Sequence, residues 1–329
     1  MHPHAKGLAR HLTRHSRLLV ALSYRLRGIR GLSLPALDAR LDAAMAGNAE
    51  VTPEILADLN RFFLEPPRDP GLSADPFSKE YAAAQKRLYT LVASKEYSVE
   101  NEATPFDFER DKDHFFPYNT RNADFVGGQL LSHGFLIRNL GVKPGARIVE
   151  FGAGWGNSTQ HLAMMGYEMT AVEPNKPSSA LMRYRAGLHG RTIRTEERDM
   201  VEFALNTKER FDAALFVACF HHCHDHLALL SSLDRIIEDG GTVIFADEPI
   251  VPVRSPTVPY PWGLRMDGIS LYYIRRWGWL ELGFTQGYFR EALGRAGWEA
   301  RVIPSSIEGV GDLLVARKSR RNRRLTPPG

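Results

Sequence analysis

Two short stretches of this 329-residue chain hold residue types that could do chemistry. The first, VEFGAGWGNST, sets Gly152, Gly154 and Gly156 at alternate positions behind the acid Glu150. Glycines in that rhythm allow a sharp turn and let a ligand lie against the main chain, at φ values that a side chain penalises. The second, FHHCHDH, gathers His221, His222, His224, Asp225 and His226. Imidazole titrates near neutrality, so His222, with His221 close behind, is the natural base for a hydroxyl. Glu248 follows the next apolar run, TVIFAD, and joins them as a catalytic candidate that could orient a hydroxyl or an ammonium. The His tract could chelate through His222 and His226, or through His222, His224 and Asp225. No HExxH or paired CxxC pattern accompanies it, and no metal is expected.

Regular elements must position these residues. ARIVEF reads as a buried strand, GNSTQHLAMMG as a helix, YEMTAVE as a second strand and KPSSALMRYRAGLHG as a second helix. RTIRTEER and RFDAALFVACF supply two more strands, HLALLSSLDRIIEDGG a helix ending in glycine, and TVIFADE a fifth strand. TQGYFREALGRAGW then predicts a helix, and EARVIPS and DLLVARK two closing strands. This βαβα order implies an α/β fold with a mostly parallel sheet, its last strand antiparallel, and helices on both faces. In such sheets ligands bind beyond the carboxyl ends of the strands, where both stretches fall.

The spacing discriminates between ligands. A dinucleotide fingerprint, GxGxxG, would need glycine at 157, where this chain has Asn157. Its ExGxGxG resembles motif I of the class I S-adenosylmethionine-dependent methyltransferases, and the resemblance covers about residues 140 to 317. It is carried also by Glu173, which ends the next strand 17 residues past Gly156, by Asp199 after the third strand, and by the closing strand pair. The resemblance implies a Rossmann-like fold with S-adenosyl-L-methionine as cofactor: Glu173 accepting the ribose hydroxyls, Asp199 the adenine amino group, and Met200 packing on the ring. Glu150, Phe151, Gly152, Ala153, Gly154, Trp155, Gly156, Asn157 and Ala218 complete the expected cofactor lining. Methyl transfer is an in-line displacement that needs the acceptor held opposite the leaving sulfur. O-methylation of a small polar acceptor, such as a sugar, nucleotide-sugar or glycan, is the leading reading. N-methylation of a small molecule and a non-catalytic cofactor-binding scaffold are the alternatives, and an NAD-dependent oxidoreductase ranks below them.

Acceptor shape is expected from outside the core. Tyr118 and Arg121 lie in PYNTRN, and Trp262, Arg265, Tyr273 and Arg276 in a Trp-rich insertion. Flat rings and forked donors of that kind suit a polar or anionic acceptor, and packing as a small lid is the competing reading. The expected organisation is a basic tail or amphipathic helix at 1–32, a helical and loop region at 33–125, a cofactor-binding domain at 126–317 with its insertion at 249–283, and a basic tail at 318–329. Thr52 before Pro53 and Asp75 before Pro76 are expected helix starts.

Charge is unevenly placed. Seven basic residues and no acid occupy positions 1 to 30, and six more occupy 317 to 324, which leaves 29 basic against 38 acidic residues in the body. An extended phosphate track is therefore not expected outside the tails, and no nucleic-acid partner is favoured. Peripheral membrane contact through the basic tails is a minor reading beside solvated termini, and homo-oligomerisation stays open. The two cysteines are too few for a disulfide framework, and no apolar run approaches the length of a membrane span, so a cytoplasmic location is expected.

Overall fold

The computed structural model describes residues 16–46, 52–103 and 107–319. Most of the two basic tails, residues 1–15 and 320–329, and residues 104–106 of the aromatic loop lie outside the described residues. The N-terminal part contains α1 (Arg17–Leu26), β1 (Arg30–Leu32), α2 (Leu34–Met45), α3 (Pro53–Leu59), β2 (Phe62–Leu64) and α4 (Lys79–Ala93). Thr52 caps α3 as expected, its Oγ1 accepting from the Ile55 N–H, with Pro53 in the first turn. Asp75 does not start α4. Its Oδ1 accepts from the Phe77 N–H in a local turn, and the helix begins at Lys79 behind Ser78, whose hydroxyl accepts from the Tyr81 N–H. Strands β1 and β2, which periodicity does not reveal, pair in parallel.

The central run is α5 (Phe108–Asp111), α6 (Ala123–Arg138), β3 (Arg147–Phe151), α7 (Asn157–Met164), β4 (Glu168–Val172), α8 (Lys176–Leu188), β5 (Arg194–Glu196), α9 (Met200–Asn206), β6 (Phe211–Val217), α10 (His226–Ile236) and β7 (Ile237–Ala246). The insertion adds β8 (Ile250–Val251), β9 (Trp262–Leu264), α11 (Gly268–Trp277) and β10 (Leu282–Thr285); α12 (Gln286–Arg295), β11 (Trp298–Ile303) and β12 (Leu313–Lys318) close the chain. By contacts the chain divides into two units: residues 1–102 with 249–289, and residues 103–248 with 290–329.

The second unit is built on one seven-stranded sheet in the order β11-β12-β7-β6-β3-β4-β5. Its strands are parallel except β12, which runs antiparallel to both β7 and β11. This is the expected Rossmann-like architecture. Helix α10 ends earlier than its composition suggests, because Glu238, Asp239 and the two following glycines already belong to the ten-residue strand β7.

Alternation along the strands builds two apolar layers. Ile148, Met169, Ala171, Ala213, Leu215, Ile244 and Val315 pack with Leu136 of α6, Leu162 of α7 and Met182 of α8. On the opposite parity, Phe151, Phe216 and Phe245 are register partners on β3, β6 and β7. Their rings stack at 4.8 and 5.0 Å, each pair worth about 0.5–1.5 kcal/mol beyond its burial. These rings stiffen the sheet immediately before three strands reach their carboxyl ends.

The first unit holds the parallel pair β1-β2 and a three-stranded sheet, β8-β10-β9. Among the described residues no helix is long and apolar enough to cross a membrane.

Candidate active site

Three neighbouring strands leave the sheet through a left-handed residue. Gly152 follows β3 at φ 56°, Ala218 follows β6 at φ 50°, and Asp247 follows β7 at φ 54°. For Ala218 and Asp247 that conformation costs about 1–2 kcal/mol each, a strain that concentrates at functional sites. Hydrogen bonds hold the exits in place: the Gly152 N–H donates to the Val172 carbonyl at 2.8 Å and the Ala218 N–H to the Ala246 carbonyl at 2.9 Å.

The glycine turn is tightly enclosed on one side and open on the other. A Cβ on Gly152 would lie 2.6 Å from Cβ of Cys219, and one on Gly156, at φ 73°, would collide with Met182. A Cβ on Gly154 would meet nothing within 4 Å. The backbone at 154 thus faces free space of the kind a ligand needs.

Two buried acids shape this turn in different ways. Glu150, 1% exposed, accepts from the hydroxyls of Ser158 and, at 2.6 Å, of Thr159. Burial pushes its carboxyl up against the pull of those hydroxyls. Both its oxygens are engaged in anchoring the start of α7, so its role here is to set the turn. Glu173 instead clamps it: Oε2 accepts from the Gly154 N–H at 2.8 Å and Oε1 from the Asn175 N–H at 2.9 Å. Burial raises this carboxyl too, opposed by the two N–H groups and by His222. Each carboxylate oxygen has a second lone pair, so Glu173 can still accept two hydroxyls. Asp199 caps α9, its Oδ1 accepting from the Val201 and Glu202 N–H groups, and Met200 beside it is buried near Gly152.

The segment after β6 is organised by Glu248. Its Oε1 accepts from the Cys219 and Phe220 N–H groups, both at 2.8 Å, and its Oε2 from the His221 N–H at 3.2 Å and Nδ1 at 2.9 Å. Burial alone would raise this carboxyl. The neighbouring His221 ring and the hydrogen bond from it, with the Phe220 and Cys219 N–H groups, outweigh burial and hold it below the ordinary carboxylate value. A proton fixed on Nδ1 by that carboxylate leaves Nε2 of His221 as a lone-pair acceptor. The His222 ring lies 4.2 Å from that of His221. His226, at the start of α10, is buried against Phe220, and burial pushes its imidazole down to about 4.

A pocket beside the start of α7 is lined by Tyr118, His133, Asn157, Gln160, His161 and Arg185. Arg185 is 1% exposed, with its guanidinium 4.7 Å over the Phe115 ring and Nη2 donating to the His114 carbonyl. Among the described residues, Nδ1 of His133, Nε2 of Gln160 and Nε of Arg185 find no hydrogen-bond partner. Leaving such polar atoms buried and unmatched costs about 1–3 kcal/mol each, and an anionic group would accept from the Gln160 and Arg185 N–H groups. Sequence patterning missed Gln160, His161 and Arg185, because helical spacing alone reads them as ordinary helix residues.

Of the proposed acceptor residues, Tyr118 lines this pocket, and the set is divided between the two units. Tyr118 and Arg121 are exposed in the second unit, Arg121 at φ 53°. In the first unit, Trp262 is buried against Tyr81 and its indole N–H donates to the Pro76 carbonyl. Arg265 pairs with Asp267 and Glu281. Tyr273 packs with Trp277 and Trp279, and Arg276 lies over the rings of Tyr272 and Trp277.

The arrangement suits a nucleoside ligand with an anionic tail. An open glycine main chain approaches it, a clamped carboxylate accepts its sugar hydroxyls, and a donor-lined pocket stands at a helix start. The groups of S-adenosylmethionine fit these features, since that molecule carries ribose hydroxyls and a carboxylate.

Comparison with known proteins gives the same direction. Residues 134–300 match the family described as a methyltransferase domain. An uncharacterized methyltransferase of Anoxybacillus flavithermus is 28% identical over 111 residues, 33% of this chain and 50% of that protein. A ubiquinone biosynthesis O-methyltransferase of Alkalilimnicola ehrlichii is 26% identical over 112 residues, 34% of this chain and 45% of that protein. The chain spans about half the length of the curated relatives it matches. Among solved structures, Burkholderia thailandensis 1,6-didemethyltoxoflavin-N1-methyltransferase with bound 1,6-didemethyltoxoflavin and S-adenosylhomocysteine aligns with a TM-score of 0.44 and 20% identity, over 78% of this chain and 95% of that one.

Proposed function

This chain belongs to the methyltransferase-domain family, and from that premise we propose that it is an S-adenosylmethionine-dependent O-methyltransferase acting on a small polar acceptor such as a sugar, nucleotide-sugar or glycan. The observation that carries the O-methylation reading is the 2.9 Å contact between Nδ1 of His221 and the buried Glu248. It orients the ring and leaves Nε2 as the base for a hydroxyl, which must lose its proton as it accepts a methyl group. His221 is therefore the base in this reading and Glu248 a positioning residue, whereas residue type alone favours His222.

The cofactor, when bound, supplies an electrophilic methyl group on a sulfonium. Glu173 would hold the ribose hydroxyls, the main chain at Gly152 to Gly156 would face the cofactor, and Arg185 with its pocket neighbours fits the carboxylate. A sugar-type acceptor is supported by the chemistry of the half-buried Tyr273, Trp277 and Trp279 cluster with Arg276, since flat rings and a guanidinium suit hydroxylated or anionic rings.

Calorimetric titration with S-adenosylmethionine, S-adenosylhomocysteine and NAD tests the cofactor reading. The first two are expected to bind, and Glu173→Ala to weaken them about 100-fold, the effect of losing charge-assisted hydrogen bonds worth about 3 kcal/mol. Binding of NAD in their place would overturn it. Transfer of labelled methyl to panels of sugar, phenol and amine acceptors then tests the acceptor class, and labelling of amines alone would replace the O-methyl reading.

A further inference from the structure

Helix α1 presents its apolar row outward. Its inward side is formed by Val20, Ser23 and Tyr24, which are half-buried. The Tyr24 hydroxyl hydrogen-bonds Oγ1 of Thr257 at 2.7 Å, and its ring meets Phe63 edge-on at 6.3 Å. With the helix pinned on that side, Leu18, Leu22 and Leu26 follow one another at four-residue steps on the solvent side with Leu19 next to them, and they are 83%, 51%, 80% and 43% exposed. A soluble helix ordinarily turns such a row toward its core.

Along the chain, charge around the row is of one sign. The first acid in the chain is Asp38, and seven Lys or Arg precede it. Arg25, Arg27 and Arg30 are exposed, and among the described residues none of the three forms an ion pair. An outward leucine row flanked by unopposed cations is complementary to a surface that is apolar beneath and negative on top. A second copy of the same helix is poorly matched, because face-to-face pairing would bring together two cationic segments with no acid between them.

We propose that α1 docks flat on an anionic lipid bilayer, with Leu18, Leu22 and Leu26 in the boundary between headgroups and acyl chains and the neighbouring arginines on lipid phosphates. The Tyr24 contacts with Thr257 and Phe63 tie the helix to its unit, so the protein follows the helix to the membrane.

Co-sedimentation of the full chain with phosphatidylcholine vesicles, with and without about 30 mol% phosphatidylglycerol, tests it. Pelleting is expected with the anionic vesicles at least about tenfold more strongly than with the neutral ones, weakening as salt is raised. The triple variant Leu18→Ser, Leu22→Ser, Leu26→Ser should lose that binding with its thermal midpoint unchanged, because the leucines are exposed. Arg25→Glu with Arg27→Glu should lose it as well. Equal binding to neutral vesicles, or none to either, would overturn the proposal. So would light scattering that shows a dimer dissolved by the leucine variant, which would assign the face to a second copy.

Discussion

At the ends of β3, β6 and β7, Gly152, Ala218 and Asp247 turn out of the sheet at φ 56°, 50° and 54°, and Glu248 gathers three backbone N–H groups and one imidazole. The segment 249–289 is at least as rich in aromatic and charged residues, yet Trp262 is spent on Tyr81 and Pro76, and Arg265 on Asp267 and Glu281. The same residue types thus do different work in the two regions. At the strand ends the backbone is held by the sheet, so a side chain can be aimed without packing against its own neighbours. In the small first unit, short strands and helices must bury their rings against each other to be stable at all. A residue type announces a capability, and the surrounding backbone decides whether it is free to be used.

Substitutions can separate the two regions. The largest effect is expected for His221→Ala, which should lower methyl-transfer kcat by about 10²–10⁴-fold while leaving the calorimetric affinity for S-adenosylmethionine within about twofold. Glu248→Gln should show a smaller kcat loss with a shifted pH profile, and unchanged kinetics in both variants would remove the distinction drawn for the strand ends. Trp262→Ala should act in the opposite manner, lowering stability by about 3–5 kcal/mol in denaturant titration with cofactor affinity retained by the folded fraction. A loss of affinity without a loss of stability would show that the ring binds ligand after all.

A pH experiment sharpens the contrast further. Burial holds His133 and His226 at about 4, below the ordinary value near 6.5. As pH falls, the unfolded chain takes up these protons first. Their contribution is complete above about 6.5 and is lost between there and 4, on the order of 3 kcal/mol for each ring. Both rings belong to the second unit, and the first unit has no histidine among its described residues. Hydrogen exchange should show β3, β6 and β7 losing protection in that window before α4 and α11 do, and His226→Phe should make the loss shallower. Simultaneous loss in both units would break the comparison.

Much of the second unit was legible from local patterning. The alternation of strand and helix, the glycine turn and Glu173 follow from periodicity and backbone requirements that each segment carries within itself. The ends of elements were less legible: α4 is capped by Ser78 and not by Asp75 because two capping side chains compete within four residues, and EDGG joins β7 because the sheet continues past the helix signal.

The amino-acid sequence by itself determined that a mostly parallel sheet would present a glycine turn, an acid and a pair of histidines at one edge, since spacing along the chain dictates which residues reach the strand ends. Only the tertiary structure decided their roles. Glu150 is consumed by Ser158 and Thr159, His221 is held at Nδ1 by Glu248 from the end of the neighbouring strand, and Arg185 of α8 reaches the pocket from 28 residues after Asn157, where α7 begins. Those choices depend on hydrogen bonds between residues distant in sequence, and a carboxylate's partners are set by which strands lie side by side.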